Sequence, residues 1–186
     1  MIRPPDEEAA ANAALELLLR LGVAALPVRP AAALRNWPGV RLMTYARAAE
    51  ALGVTEDELL RHCGDADAFT AQAEGGTLLC YRADGNPARR NFTLAHEWGH
   101  ILLAHARSGA AEEAEANAFA SQLLMPQPVV RRLKAARGGA LQLARLCYVS
   151  LPAAEMALRR TTRTEEALAA EVERQLDAWL NRALKA

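Results

Sequence analysis

Two histidines with three residues between them, His96 and His100, and Glu97 directly after the first, constrain this chain more than any other feature. They lie in Asn91-Phe92-Thr93-Leu94-Ala95-His96-Glu97-Trp98-Gly99-His100-Ile101-Leu102-Leu103-Ala104-His105. On a helix, positions i and i+4 share a face, so both imidazoles reach one metal ion, and zinc suits those ligands. Glu97 turns to the side where a coordinated water sits and is the expected catalytic base. The spacing therefore demands three things of the fold: a helix here, a third ligand from another element, and one open side.

The chain has four histidines. His62 lies well upstream and reads as a surface residue. His105 is nine residues after His96, half a turn round a continuous helix, and reads as a C-terminal residue interacting with the helix dipole. The third ligand is expected to be a carboxylate on the next helix, with Glu112, Glu113 and Glu115 as candidates. Trp98 is expected in the core or a groove wall. Gly99 costs about 1 kcal/mol relative to alanine in mid-helix, so it is expected to admit a close neighbouring backbone.

Around this centre the pattern is mostly helical. Pro4-Pro5-Asp6-Glu7-Glu8 opens a first helix that ends at Gly22. Pro30 starts a short one. Val40 to Thr44 alternates like a strand. Ala46 to Leu52, closed by Gly53, and Glu56 to His62, opened by the capping box Thr55-Glu56-Asp57-Glu58, follow as helices. Ala68 to Gln72 and Thr77 to Tyr81 flank Glu74-Gly75-Gly76 as a hairpin. The central helix is expected from Ala88 to Ala106, broken by Ser108-Gly109, and the next from Ala111 to Met125, stopped by Pro126. Beyond lie Val129 to Ala136, Leu141 to Cys147, Ser150-capped Leu151 to Arg159, and Glu165 to Leu184 with a Thr162–Glu165 capping box. Gly138-Gly139 is the best hinge candidate, and Arg131, Arg132, Lys134 and Arg137 read as a solvated face.

Composition narrows the function. Net charge is zero, which gives no bulk electrostatic case for nucleic acid or a membrane surface, although residues from Pro128 onward carry +5 and the remainder −5. Three scattered cysteines, Cys63, Cys80 and Cys147, fit a reducing compartment. The first residues lack the apolar run of a signal peptide, and no stretch reaches the roughly 18 apolar residues of a membrane helix, so a cytoplasmic location is expected.

Two stretches resemble the ImmA/IrrE-type metallopeptidases: Arg90 to Leu103, and Glu113-Ala114-Glu115-Ala116-Asn117-Ala118-Phe119-Ala120-Ser121-Gln122-Leu123-Leu124-Met125-Pro126. Tyr148-Val149-Ser150-Leu151-Pro152-Ala153-Ala154 is similar to a later helical segment of that family, so the likeness spans roughly residues 10 to 160. It implies Glu113 as the third zinc ligand and Asn117 as the residue that orients a ligating histidine. It also implies an α+β fold, a mainly helical zincin-like domain with a small antiparallel sheet over residues 1–127, followed by a helical C-terminal segment, 128–186, packed on it. The short C-terminal extension resembles the mobile-element type.

The expected activity is that of a zinc-dependent endopeptidase. By resemblance its substrate is a helix-turn-helix repressor, whose cleavage relieves repression. The strand Thr77, Leu78, Leu79, Cys80 and Tyr81 is expected to pair with extended substrate. Tyr148, Tyr81 and Arg90 are the candidate oxyanion donors. The alternative is a non-proteolytic antirepressor or toxin–antitoxin interaction protein of the same fold. A weaker third reading takes Leu141 to Arg160 as a DNA-reading helix pair, but Glu155, Arg159 and Arg160 offer a poor basic surface, so no direct nucleic-acid binding is expected.

Overall fold

A computed structural model describes residues 3–64, 66–107, 109–160 and 162–184. Met1, Ile2 and Ser108, on which parts of the leader and helix-break readings fall, lie outside the described residues.

Asp6 caps the first helix, α1 (Glu7–Arg20), by accepting from the Ala9 N–H at 2.9 Å. Its buried stripe includes Ala14, Leu15 and Leu18. A short α2 (Pro30–Leu34) leads to β1 (Val40–Thr44), α3 (Tyr45–Leu52) and α4 (Glu56–His62). The Thr55–Glu58 capping box forms in full, and Gly53 closes α3 in the left-handed conformation. Next come β2 (Ala68–Ala73), β3 (Gly76–Tyr81), α5 (Pro87–Leu102) and α6 (Ala110–Leu124). Among the described residues four further helices follow: α7 (Gln127–Ala135), α8 (Ala140–Cys147), α9 (Leu151–Arg159) and α10 (Glu166–Ala183). None of the described helices is long and apolar enough to cross a membrane.

The sheet is mixed, not antiparallel. Its order is β1-β3-β2: β3 runs antiparallel to β2, as the hairpin predicts, but parallel to β1, with Val40 opposite Thr77 and Thr44 opposite Tyr81. Gly76 is required where β3 begins, because a Cβ there would lie 2.3 Å from the Gly39 carbonyl oxygen, the acceptor of the Thr77 N–H. Side chains of β3 alternate between two apolar layers. Leu79 and Tyr81 join the main core with α5, while Cys80 meets Tyr45, Ala48 and Leu60 under α3 and α4. Burial on both faces explains why Leu78-Leu79-Cys80-Tyr81 reads as a continuous apolar run.

The main core is continuous from α1 to α10 and includes Leu18, Trp98, Phe119, Leu123, Leu133 and Leu176, so it crosses the Gln127–Pro128 junction. Helix α6 packs between α1 and α5. An added Cβ at Gly99 would lie 3.0 Å from Cδ1 of Phe119, so the glycine admits a phenylalanine ring, where a backbone was expected. The basic run on α7 is a tether as well as a surface: Arg131 and Arg132 bind Glu173 of α10 at 2.6 and 3.1 Å. The expected Thr162–Glu165 box does not form. Glu165 is itself the N-cap of α10, and its N–H donates to Asn12 of α1 at 2.8 Å.

Candidate active site

Asn86 starts α5 by accepting from the N–H groups of Ala88 and Arg89, and Pro87 occupies the first turn, where a missing N–H costs nothing. The helix then presents His96 and His100 on one side and buries Leu94, Ala95 and Trp98 on the other. Helix α6 brings Glu113 against the two histidines. Nε2 of His96 lies 3.0 Å from Nε2 of His100, and the Glu113 carboxylate oxygens lie 3.3 Å from the first and 3.4 Å from the second.

That cluster tests whether a metal fits. Zinc–nitrogen and zinc–oxygen bonds of about 2.0–2.2 Å at the tetrahedral angle separate ligand atoms by about 3.3–3.6 Å. The observed separations, Oε2 of Glu113 facing His96 and Oε1 facing His100, come within a few tenths of an ångström of that range, and His96, His100 and Glu113 form the one cluster among the described residues that could hold a metal. Burial, with His96 alongside, pushes His100 down to about 4, so its ring is neutral at neutral pH and keeps a lone pair for a metal. The histidine side chains are 16% and 13% exposed and that of Glu113 43%, so the pocket opens on the Glu113 side. Burial, then the Glu113 carboxylate, push Glu97 up to about 7, which lets it exchange a proton near neutrality.

Residues 50–159, more than half the chain, match the Peptidase_M78 family model, described as the IrrE N-terminal-like domain. The chain belongs to this family. It is therefore a metallopeptidase of the IrrE/ImmA kind. No curated protein matches it.

The Peptidase_M78 segment covers α4 through α9 and encloses the whole triad. Of the three carboxylates open as third ligand, only Glu113 joins the histidines. Glu112 folds back towards Gly109, where a Cβ would lie 2.5 Å from its Oε2, and its Oε1 lies 3.8 Å from Arg3. Glu115 points the other way and is buried. Asn117 sits where the resemblance implies, its Oδ1 3.1 Å from Nδ1 of His96. That contact leaves Nε2 for the metal.

Two expectations need correction. The strand Thr77, Leu78, Leu79, Cys80 and Tyr81 cannot accept an added strand, because as the central strand β3 it is paired on both sides. The open edges belong to β1 and β2, and α5 packs against β2 as well as β3. His105 does not lie on the metal helix. Helix α5 ends at Leu102, Ala104 takes a left-handed turn (φ 53°), and the chain folds back so that the His105 side chain is only 5% exposed. Its Nδ1 is 2.9 Å from Nδ1 of His100 and its Nε2 3.0 Å from Oε2 of Glu115.

Glu115 also accepts from the Asp6 N–H at 2.7 Å and makes a two-pronged pair with Arg3 at 2.7 and 2.9 Å. The Arg3 hydrogen bond, aided by the Asp6 N–H and His105, outweighs burial and holds the Glu115 carboxyl down to about 2. The sequence carries no local signal for this arrangement beyond the crowding of three of its four histidines into ten residues. Among the candidate oxyanion donors, Arg90 donates to the Ala83 carbonyl, Tyr81 is buried in the main core, and Tyr148 is the left-handed C-cap of α8 and 45% exposed.

From the triad side a groove of about 720 Å³ runs between α5, α6, α7 and α9. Thr93, one turn before His96, and Asn117 line its near end, and Phe92, Met125, Val130 and Met156 its apolar walls.

Proposed function

We propose that the chain is a zinc-dependent endopeptidase whose substrate is a helix-turn-helix repressor, and that its cleavage relieves repression. The observation that carries the reading is the convergence of His96, His100 and Glu113, with Glu97 on the same helix as the two histidines. Zinc held there supplies Lewis acidity, which makes a water acidic and a carbonyl electrophilic. Glu97 accepts the proton of the attacking water as its oxygen bonds to the scissile carbonyl carbon, and returns that proton to the amine nitrogen as the C–N bond breaks. Asn117 keeps His96 in the tautomer whose Nε2 faces the metal.

A polypeptide substrate is supported by the peptidase family, and the apolar groove that begins at Thr93 and Asn117 offers a place for its side chains. The outer edge of β2, Ala68–Ala73, takes over the role expected of β3 and offers backbone groups to an extended segment. The repressor as substrate rests on the family resemblance of Arg90–Leu103 and Glu113–Pro126.

The decisive experiment is Glu97→Gln. The variant is expected to hold one zinc per chain and to cleave roughly 10²–10⁴-fold more slowly. Should it relieve repression as fully as the parent, the non-proteolytic antirepressor reading replaces this one. Chelation is expected to abolish cleavage and zinc to restore it, checked by following substrate fragments on gels.

A further inference from the structure

The two ligating histidines are supported differently, and the support of His100 extends to the start of the chain. A ring that binds metal through Nε2 carries its proton on Nδ1. In His100 that proton points at Nδ1 of His105, 2.9 Å away, which must accept it. The remaining N–H of His105 is then on Nε2 and donates to Oε2 of Glu115 at 3.0 Å. Glu115 accepts, and closes the chain of hydrogen bonds against Arg3 and the Asp6 N–H. Only one arrangement of protons satisfies every contact once the metal is placed, and it leaves none of these nitrogens without a role.

We propose that His105 is a positioning residue for the metal, linking His100 to the buried Glu115 carboxylate, and that Arg3 and Asp6 make the metal affinity of the site depend on the N-terminal segment ahead of α1. The proposal rests on reading the triad as a metal centre. A carboxylate behind a histidine fixes its ring and raises its strength as a donor. Here the carboxylate acts through a second imidazole, whereas Nδ1 of His96 meets the neutral amide of Asn117. Glu115 is suited to the task because its charge is already balanced by Arg3. Its removal by about 200° from Glu113 around α6 keeps it from competing as a ligand.

The test is zinc affinity of the purified chain, measured by competition with a chromophoric chelator, together with the visible spectrum of the cobalt-substituted protein. His105→Ala is expected to weaken zinc binding roughly 10–100-fold and to shift the cobalt bands. His105→Gln offers an acceptor and a donor about 2.2 Å apart, close to the spacing of the two ring nitrogens, and is expected to recover part of the loss. Glu115→Gln and Arg3→Met are expected to weaken binding in the same direction by less. Arg3 is half exposed, so its replacement leaves the core intact and decides the matter if His105→Ala fails to fold. Parent-like affinity and spectra in His105→Ala, or in Arg3→Met if the former is unfolded, would overturn the proposal while leaving the metal centre standing. A parent chain that binds no zinc would overturn the metal centre and the proposal together.

Discussion

The two faces of α6 carry the same side chain to opposite ends. Glu113 is 43% exposed and faces two imidazoles across an open pocket. Glu115, two residues on, is 7% exposed and held by Arg3, Asp6 and His105. Helical rotation alone separates a ligand from a strut. The open stripe continues from Glu113 through Asn117 to Ser121, both of which line the groove. Ala116, Phe119, Ala120 and Leu123 are buried, on a helix that packs between α1 and α5. The candidate ligand and the groove-lining residues thus follow one line of a helix whose other side is used for packing and for the Glu115 brace. The two functions should separate under mutation.

The largest separation is expected at Glu113. Glu113→Gln should abolish stoichiometric zinc binding, measured by elemental analysis, and leave the melting temperature of the metal-free protein nearly unchanged. A large drop in that temperature would break the division between the faces. Phe119→Ala should do the reverse. Loss of a fully buried ring costs about 3–5 kcal/mol. Denaturant unfolding should report that loss while the residual folded protein still binds zinc.

Asn117→Ala should weaken zinc binding by about 10-fold or somewhat more, with little effect on unfolding, since the residue is exposed and acts through His96. The smallest effect, and the sharpest, is expected at Gly99. Gly99→Ala gains about 1 kcal/mol of helix propensity but crowds Phe119 at a cost of about 1–3 kcal/mol. It should therefore destabilise the parent slightly and stabilise the Phe119→Ala variant. A double-mutant cycle without that change of sign would show that the contact does not set the spacing of α5 and α6.

The centre of the site was legible because its information is local. His96, Glu97 and His100 need only a helix, and Glu113 with Asn117 need only the next one. What escaped depends on contacts between distant residues or on a turn without a signature. Helix α5 stops at Leu102 through a left-handed alanine, where neither glycine nor proline marks the end, so His105 was placed on a helix it does not belong to. The role of β3 was misplaced because its parallel pairing with β1 joins residues that a hairpin pattern cannot connect. The tether from Arg131 and Arg132 to Glu173 was hidden for the same reason: a run of cations shows its charge, not its partners.

The way α1 is held bears on how such a chain is made. Its apolar stripe is covered by α6 and α10, and Gln175 of α10 donates to the carbonyls of Leu18 and Val23. Leu18 and Gln175 are 157 residues apart. At ribosomal speeds of about 5–20 residues per second, α1 is synthesised about eight to thirty seconds before its last partner. During that interval the segment bearing Arg3 has no Glu115 to bind for most of the wait, and the leucines of α1 are bare. Nascent chains of this protein should therefore expose the apolar stripe of α1 to ribosome-associated chaperones until α6 and α10 cover it.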